Sequence, residues 1–314
     1  MTLEANTHHS ISGLALWHWR REKQQQFSEL QNEVTQAHDQ QNLARELDWL
    51  IREVTDLDRL ALRLELYKDK SDLKSTKSLQ ELEQIWSNRI LKSKPLQYLL
   101  GYCNWRHFKL QVSPAVLIPR PETEELIEIV GEVLQQNSEL AQGDWVDLGT
   151  GSGAIALGLA DLMPNANIHA VDISGEALAI AKSNTKTLEM SDRIQFWQGS
   201  WFEPLPHPPG SLSGICSNPP YIPTQIVQTL QPEVVNHEPH LALDGGEDGL
   251  RDIRHLIQTA NVYLRDSGFF IMECMAGQGE AIAHLMEAAK YQQVQIHHDL
   301  AGLDRFVSGR KQAD

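Results

Sequence analysis

The chain has 314 residues, 41% hydrophobic and 22% charged, so it is long enough for two globular domains and its composition excludes a disordered chain or a coiled coil. Its formal net charge of -15 argues against a surface dedicated to duplex nucleic acid, because such surfaces depend on Lys and Arg. No apolar stretch is long enough to cross a bilayer, and the polar segment 1–18 lacks a signal-peptide core, so we expect a cytoplasmic protein with no membrane partner.

Residues 1–95 predict a small helical domain. Amphipathic patterns separated by polar connectors favour five helices, and Ser78 is a capping candidate for the last of them. Trp17, Trp19, Trp49 and Trp86 are expected to pack these helices together. The predicted helices run from Leu14 to Lys23, Phe27 to His38, Leu43 to Thr55, Asp58 to Tyr67 and Leu79 to Leu91.

Residues 96–121 predict a hairpin followed by a linker. The segment from Tyr102 to Val112 alternates in polarity and is rich in aromatic and β-branched residues, which is typical of a short hairpin. Three prolines between positions 114 and 121 then indicate a rigid linker. A second domain, residues 122–314, begins after it.

Residues 122–314 predict an α/β domain with a seven-stranded, doubly wound sheet. A helix to about Gln136 is followed by short apolar strands that alternate with helices, a pattern that favours parallel pairing with helices on both faces. The last two strands have no helix between them, so we expect them to pair antiparallel through residues 299–304. The predicted strands are 145–148, 167–171, 194–197, 214–217, 268–272, 293–298 and 305–309.

A glycine-rich turn follows the first of these strands. It reads Asp147-Leu148-Gly149-Thr150-Gly151-Ser152-Gly153 and opens the predicted helix 154–162. Glycines at such a turn let the backbone approach a ligand closely, and Asp172, at the end of the second strand, can accept both hydroxyls of a ribose. The Gly-x-Gly-x-Gly spacing lacks the extra residue of the dinucleotide fingerprint, and no Lys-Ser/Thr follows. The turn therefore favours a cofactor other than NAD and excludes a P-loop.

A second motif, Asn218-Pro219-Pro220-Tyr221, follows the apolar run 214–217. Ligands bind beyond the carboxyl ends of the strands in an open α/β sheet, so Asn218 would project where the cofactor lies. The two prolines stiffen the loop and have no N–H of their own. The Asn218 amide and the Pro219 carbonyl can therefore converge on one substrate –NH2 group.

The sequence gives no indication of a metal site. Cys103, Cys216 and Cys274 are far apart, without the paired spacing of a zinc site, and we interpret them as buried free thiols of a reducing compartment. His237 and His240 also lack metal-ligand spacing. We therefore expect no metal.

Taken in this order, 147–153, Asp172 and 218–221 resemble the motifs of class I S-adenosylmethionine-dependent methyltransferases. The Asn-Pro-Pro-Tyr form narrows the resemblance to enzymes that methylate an exocyclic or amide nitrogen. The run from Val112 to Glu124 is similar to the signature that precedes the catalytic domain in protein-(glutamine-N5) methyltransferases of peptide chain release factors. Shorter stretches at 98–101, 238–250 and 299–302 match that family as well.

The resemblance implies a Rossmann-like methyltransferase domain, S-adenosylmethionine as the cofactor and release factors as the protein substrate. The methyl group would go to N5 of the glutamine in the Gly-Gly-Gln motif, with Tyr221 packed against its planar amide and residues 1–95 recognising the substrate. Trp201 is the candidate for stacking on the adenine, and we expect a monomer. The implied catalytic residues are Asn218, Pro219, Pro220 and Tyr221, and the implied cofactor-binding residues are Gly149, Thr150, Gly151, Ser152, Gly153, Asp172, Trp201 and Asn218.

Some assignments stay open. Arg120, Glu122 and Glu124 either close over the methionine end of the cofactor or, for the two acids, favour the N-terminus of the following helix. The substrate could also be a glutamine of another protein, such as a ribosomal protein, or an adenine-N6 or cytosine-N4 amine, which the same loop can hold. A non-enzymatic binding module is disfavoured because the turn, the ribose acid and the loop are all intact.

Overall fold

The computed structural model describes residues 8–29 and 37–313. The chain divides into two compact units, Met1–Leu99 and Leu100–Asp314. Among the described residues, no helix combines the length and the apolar character that a membrane span requires.

The first unit is mainly helical, as the sequence pattern predicts. The Ser78 hydroxyl accepts a hydrogen bond from the Glu81 amide, and the Glu81 carboxylate accepts one from the Ser78 amide, which confirms the predicted cap of the last helix. Trp19 and Trp86 are buried, whereas Trp17 and Trp49 are partly buried. The elements are β1 His9–Ile11, α1 Gly13–Glu29, α2 Ala37–Val54, α3 Arg59–Arg63, β2 Leu73–Ser75 and α4 Leu79–Lys92.

Three details of this unit differ from the predictions. The predicted helix from Phe27 to His38 falls largely on residues 30–36, which lie outside the described residues. Helix α3 ends at Arg63, short of the predicted Tyr67, and Glu65 has a φ of 56°, which a helix cannot accommodate. Strands β1 and β2 form an antiparallel pair that was not predicted, since three residues are too few to show a period.

The second unit contains the predicted hairpin, the predicted helices and all seven predicted strands. Hairpin strands β3 and β4 pair antiparallel, and most strands of the large sheet are longer than predicted. The elements are α5 Leu96–Leu100 at the unit boundary, β3 Tyr102–Trp105, β4 Phe108–Gln111, α6 Glu124–Gln136, β5 Gly143–Leu148, α7 Ala154–Leu162, β6 Ala166–Asp172, α8 Gly175–Thr187, β7 Ile194–Gln198, β8 Leu212–Ser217, α9 Thr224–Val227, α10 Pro232–Val235, α11 Arg251–Tyr263, β9 Leu264–Glu273, α12 Gly279–Ala288, β10 Tyr291–His298 and β11 Asp304–Lys311.

The strand order of the large sheet is β10-β11-β9-β8-β5-β6-β7. Strands β9, β8, β5, β6 and β7 pair in parallel, and β11 is antiparallel to both of its neighbours. This confirms the predicted α/β fold with one antiparallel strand that comes last in the chain. The order reverses between β5 and β8, and ligands of open α/β sheets bind at such a switch point.

The register of the parallel strands brings three strand ends to one level. Leu148 of β5 lies opposite Val171 of β6 and Ser217 of β8. The Ser217 hydroxyl also donates a hydrogen bond to the Leu148 carbonyl, at 2.8 Å. The glycine-rich turn, the predicted ribose acid and the Asn-Pro-Pro-Tyr loop therefore all begin at the same edge of the sheet.

A buried asparagine attaches the hairpin to this edge. Asn184 of α8 accepts a hydrogen bond from the Gln111 amide at 2.7 Å and donates to the Gln111 carbonyl at 3.1 Å. Its side chain also donates to the Ser152 carbonyl at 2.9 Å. One amide side chain thus joins β4 to the glycine-rich turn, which fixes the start of the linker beside that turn.

The packing of β5 against β8 depends on a missing side chain. The Trp145 ring is fully buried, its Nε1 donates to the Leu140 carbonyl at 2.8 Å, and a Cβ built on Gly214 would lie 2.3 Å from the ring. We predict that Gly214→Ala lowers the free energy of unfolding by about 1 to 3 kcal/mol, measured by urea denaturation, because the Trp145 ring or a strand must shift.

Gly131→Ala is the matched control, because a Cβ at this position in α6 would make only ordinary contacts, at 3.7 Å from the Leu162 side chain. Alanine is the better helix former, so we expect this variant to gain about 0.5 to 1 kcal/mol. Equal effects of the two substitutions would contradict the steric explanation.

Candidate functional site

A cavity of about 300 Å³ opens at the carboxyl edge of the large sheet. Its wall contains the end of β6 and the residues that follow β5, β7 and β8, together with residues 115–117 of the linker. The predicted site residues that line it are Gly149, Thr150, Gly151, Ser152, Asp172, Trp201, Asn218 and Pro220. The structure thus brings together most of the cofactor residues predicted from the sequence.

The glycine-rich turn is held against β6 by its own backbone. The amides of Gly149 and Thr150 both donate to the Val171 carbonyl, at 2.9 Å each. Gly149 and Gly151 have φ angles of 76° and 54°, in the left-handed region that glycine adopts without strain. A Cβ on Gly151 would meet no atom within 4 Å, so the turn is open on that side.

Asp172 is tied to the same turn. Its Oδ2 accepts a hydrogen bond from the Gly151 amide and its Oδ1 one from the Ser174 amide, at 2.9 Å each. Burial raises the pKa of this carboxyl, and the amide hydrogen bonds act in the opposite direction. A carboxylate has about four lone-pair sites, so Asp172 can still accept a hydroxyl group of a ligand.

Asp147, the first residue of the motif, is a part of this site that the sequence reasoning did not select. It is fully buried, and its Oδ2 accepts hydrogen bonds from the Thr150 hydroxyl at 2.5 Å and the Ala156 amide at 3.0 Å. Burial raises its pKa to about 7. Asp147 therefore fixes the turn and the first residues of α7 from below and lies outside the cavity wall.

Trp201 stands beside the turn at the end of β7. A Cβ on Gly149 would lie 3.5 Å from the Trp201 ring, and the same position lies 4.0 Å from the Asn218 carbonyl oxygen. Trp201 is partly buried against the core of the unit. The Trp201 ring, the glycine-rich turn and the Asn-Pro-Pro-Tyr loop thus meet at one point.

The Asn-Pro-Pro-Tyr loop has two sides. Asn218 and Pro220 line the cavity, whereas the Tyr221 hydroxyl donates to the Glu273 carboxylate at 3.2 Å. Burial raises the pKa of Tyr221, so its hydroxyl keeps the proton that it donates. The Gln278 amide group also donates to the Tyr221 carbonyl, at 3.0 Å. The loop is therefore held from behind while Asn218 faces the cavity.

The linker is held by contacts that the sequence left open. Arg120 pairs with the buried Glu238 at 2.6 Å, and the Glu124 carboxylate accepts a hydrogen bond from the Arg106 amide at 2.8 Å. Neither Arg120 nor Glu124 lines the cavity, and Thr123 does. The sequence did not predict that residues 115–117 and Thr123 line the cavity. This segment has no periodic pattern that would show which of its sides faces the glycine-rich turn.

One group of described side chains could offer metal ligands, namely Asp144, His169 and His207, whose ligand atoms lie within 4.8 Å of one another. It is not part of the cavity wall. The Trp197 N–H donates to His169 Nδ1 at 3.2 Å, so the proton of a neutral ring lies on Nε2, which faces Asp144 at 3.3 Å. Burial lowers the pKa of His169, which favours this neutral, hydrogen-bonded form.

Comparison with known proteins adds a family to this geometry. Residues 127–248 match the family described as Methyltransferase small domain. The catalytic domain of hMettl16, solved in complex with MAT2A 3′UTR hairpin 6, superposes with a TM-score of 0.53 over 90% of this chain and 95% of that chain, at 12% identity. This structural likeness supports the methyltransferase fold alone.

Two curated relatives are much more similar in sequence. The release factor glutamine methyltransferase of Synechocystis sp. is 49% identical over 270 residues, which cover 84% of this chain and 89% of the relative. The release factor glutamine methyltransferase of Thermosynechococcus vestitus is 45% identical over 301 residues, which cover 95% and 98%. With this identity over nearly the whole length, and with the glycine-rich turn, Asp172 and the Asn-Pro-Pro-Tyr loop around one cavity, the chain is an S-adenosylmethionine-dependent enzyme of the release factor glutamine methyltransferase family.

Proposed function

We propose that this enzyme methylates the side-chain amide nitrogen, N5, of the glutamine in the Gly-Gly-Gln motif of peptide chain release factors. The observation that carries the proposal is the position of Asn218, which lines the same cavity as the glycine-rich turn and Trp201. The names of the relatives support a glutamine of a release factor as the acceptor. The proposal goes further than these names, because it assigns the methyl group to N5 of the glutamine in the Gly-Gly-Gln motif.

An amide nitrogen is a poor nucleophile because its lone pair is delocalised into the carbonyl. The Asn218 side-chain oxygen and the Pro219 carbonyl would accept its two N–H bonds and turn the lone pair toward the methyl group. Orientation of this kind can contribute on the order of 7 to 11 kcal/mol to lowering the barrier, so the proposal includes no covalent nucleophile and no metal. The Tyr221 ring would pack against the planar amide of the substrate.

S-adenosylmethionine would supply an electrophilic sulfonium methyl group; its S–CH3 bond would break as the N–CH3 bond formed, the nitrogen would lose a proton, and S-adenosylhomocysteine would be the product. The residues that would hold the cofactor are the open turn at Gly149 to Gly153, Asp172 at the ribose and Trp201 at the adenine. Asp172 keeps free lone pairs and the turn is open at Gly151, so these residues fit a nucleoside.

Residues 1–95 would serve as the substrate-recognition domain, residues 96–121 as the connection and residues 122–314 as the catalytic domain. We also propose that the enzyme is a cytoplasmic monomer and that no duplex nucleic acid is its partner. The three cysteines are buried and free, which suits a reducing compartment, and the net charge of -15 disfavours binding to phosphates.

The substrate is tested by incubating the purified enzyme with methyl-labelled S-adenosylmethionine and one of three acceptors. The acceptors are an intact release factor, the same factor with its Gly-Gly-Gln glutamine changed to alanine, and adenine-containing DNA. We expect label on the intact factor alone. Label on the alanine variant would contradict the site, label on DNA would contradict the substrate class, and label on none of the three would point to a glutamine of another protein.

Asn218→Ala should lower the turnover number at least about 100-fold, because the amide nitrogen loses one of the two acceptors that orient it. The dissociation constant of S-adenosylmethionine, measured by calorimetry, should change less than about threefold, because most of the proposed cofactor contacts remain. Asn236→Ala, an exposed position outside the cavity wall, is the control and should keep wild-type turnover. Retained turnover in Asn218→Ala would refute the role assigned to this side chain.

Trp201→Ala should raise the dissociation constant of S-adenosylmethionine about tenfold, because the adenine loses its stacking face. Trp201→Phe should recover most of the affinity. The control is Trp197→Ala, a partly buried tryptophan of β7, four residues before Trp201, that does not line the cavity. If the two alanine variants bind the cofactor equally well, Trp201 does not stack on the adenine.

A further inference from the structure

Behind the Asn-Pro-Pro-Tyr loop lies a buried carboxylate that none of the sequence motifs indicated. Glu273 is the last residue of β9 and has no exposed side-chain surface. Its Oε2 accepts a hydrogen bond from the Thr123 hydroxyl at 2.6 Å, and its Oε1 accepts one from the Tyr221 hydroxyl at 3.2 Å. The Arg305 guanidinium donates to the same Oε1 at 3.3 Å.

Three separate parts of the chain meet at this side chain. Thr123 directly precedes α6 and lines the cavity, Tyr221 is the last residue of the Asn-Pro-Pro-Tyr loop, and Arg305 lies on β11. Arg305 also lies over the Tyr221 ring, 5.7 Å from its centroid, so a cation contacts the ring while the Glu273 carboxylate binds its hydroxyl. The contacts set the position of the loop relative to the linker wall.

The negative charge of the Glu273 carboxylate suits it to hold these three side chains. A carboxylate offers about four lone-pair sites, so it can accept from Thr123, Tyr221 and Arg305 at the same time, whereas a protonated or amidated side chain loses acceptor capacity. Burial raises the pKa of Glu273, while the Thr123 hydrogen bond and the Arg305 charge oppose that rise. The guanidinium stays charged, so it compensates the buried negative charge.

We propose that Glu273 is a positioning residue for methyl transfer, which holds Tyr221 and Thr123 so that Asn218 and the Pro219 carbonyl face the bound amide at a fixed distance and angle. This inference rests on the proposed function, because turnover is measured with a release factor as the methyl acceptor. Glu273 makes no contact with the glycine-rich turn among the hydrogen bonds of the described residues, so its effect falls on turnover and spares cofactor affinity.

The test compares Glu273→Gln, Tyr221→Phe and the double variant. Glu273→Gln keeps the shape but removes one acceptor, and Tyr221→Phe removes the donor while leaving Glu273 paired with Arg305. We expect each single variant to lower the turnover number at least about tenfold with the cofactor dissociation constant within about twofold of wild type. The double variant should be no slower than Glu273→Gln, since both substitutions break the same contact.

Glu280→Gln is the matched control, because it makes the same chemical change at an exposed position of α12. It should leave turnover unchanged. Hydrogen–deuterium exchange of residues 216–224 gives a readout that needs no acceptor: exchange should speed up in Glu273→Gln and Tyr221→Phe and stay unchanged in Glu280→Gln. If Glu273→Gln does not fold, turnover and exchange are compared between Tyr221→Phe and the wild type.

The two proposals fail in different ways. Label on an acceptor other than the release factor would refute the proposed substrate, and the variants would then be compared on that acceptor. Wild-type turnover in Tyr221→Phe, or fully additive losses in the double variant, would refute the positioning role while leaving the substrate intact. Unchanged exchange of residues 216–224 in both variants would refute it as well.

Discussion

The parallel register that places Leu148 between Val171 and Ser217 is the constraint on which the site depends. Each of these strands ends where an apolar run gives way to one of the site motifs. Because the three strands pair at the same level, motifs that are far apart in the sequence lie at one edge of the sheet. The Ser217 hydroxyl and the two turn amides on Val171 then lock the loops to the strand ends. A shift of one strand by two residues would separate the turn from Asn218 by about 7 Å, even with the same contacts within each loop.

The sequence predicted the strands well because their apolar runs are short, distinct and separated by helices. It also predicted Gly149, Asp172 and Asn218 as neighbours, since parallel strands bring their carboxyl ends to the same edge. Glu273 could not be found in this way. It is separated from Thr123 by 150 positions, and a buried glutamate at a strand end has no local pattern that distinguishes it from an exposed one. The positive φ at Glu65 that follows α3 is likewise a local backbone state that periodicity does not report.

The linker illustrates how buried acids build the wall of the cavity. Glu238 binds Arg120 and Glu273 binds Thr123, so two carboxylates from distant segments hold one stretch of four residues. Part of the acidic excess of the chain is therefore used inside the protein, in hydrogen bonds that are stronger for being charged. Arg120 and Glu124, whose roles the sequence left open, make structural contacts with Glu238 and with the Arg106 amide.

The position of β11 has a consequence for the order in which the enzyme becomes complete. This strand comes last among the seven in the chain, yet it inserts between β9 and β10 and brings Arg305 to Glu273. A nascent chain emerges N-terminal end first, so the glycine-rich turn, the linker and the Asn-Pro-Pro-Tyr loop are all synthesised before Arg305, the cation that pairs with Glu273. Tyr221 and Glu273 therefore gain their cation only once β11 has been made, and a chain interrupted before β11 would retain every signature motif without the Arg305–Glu273 pair.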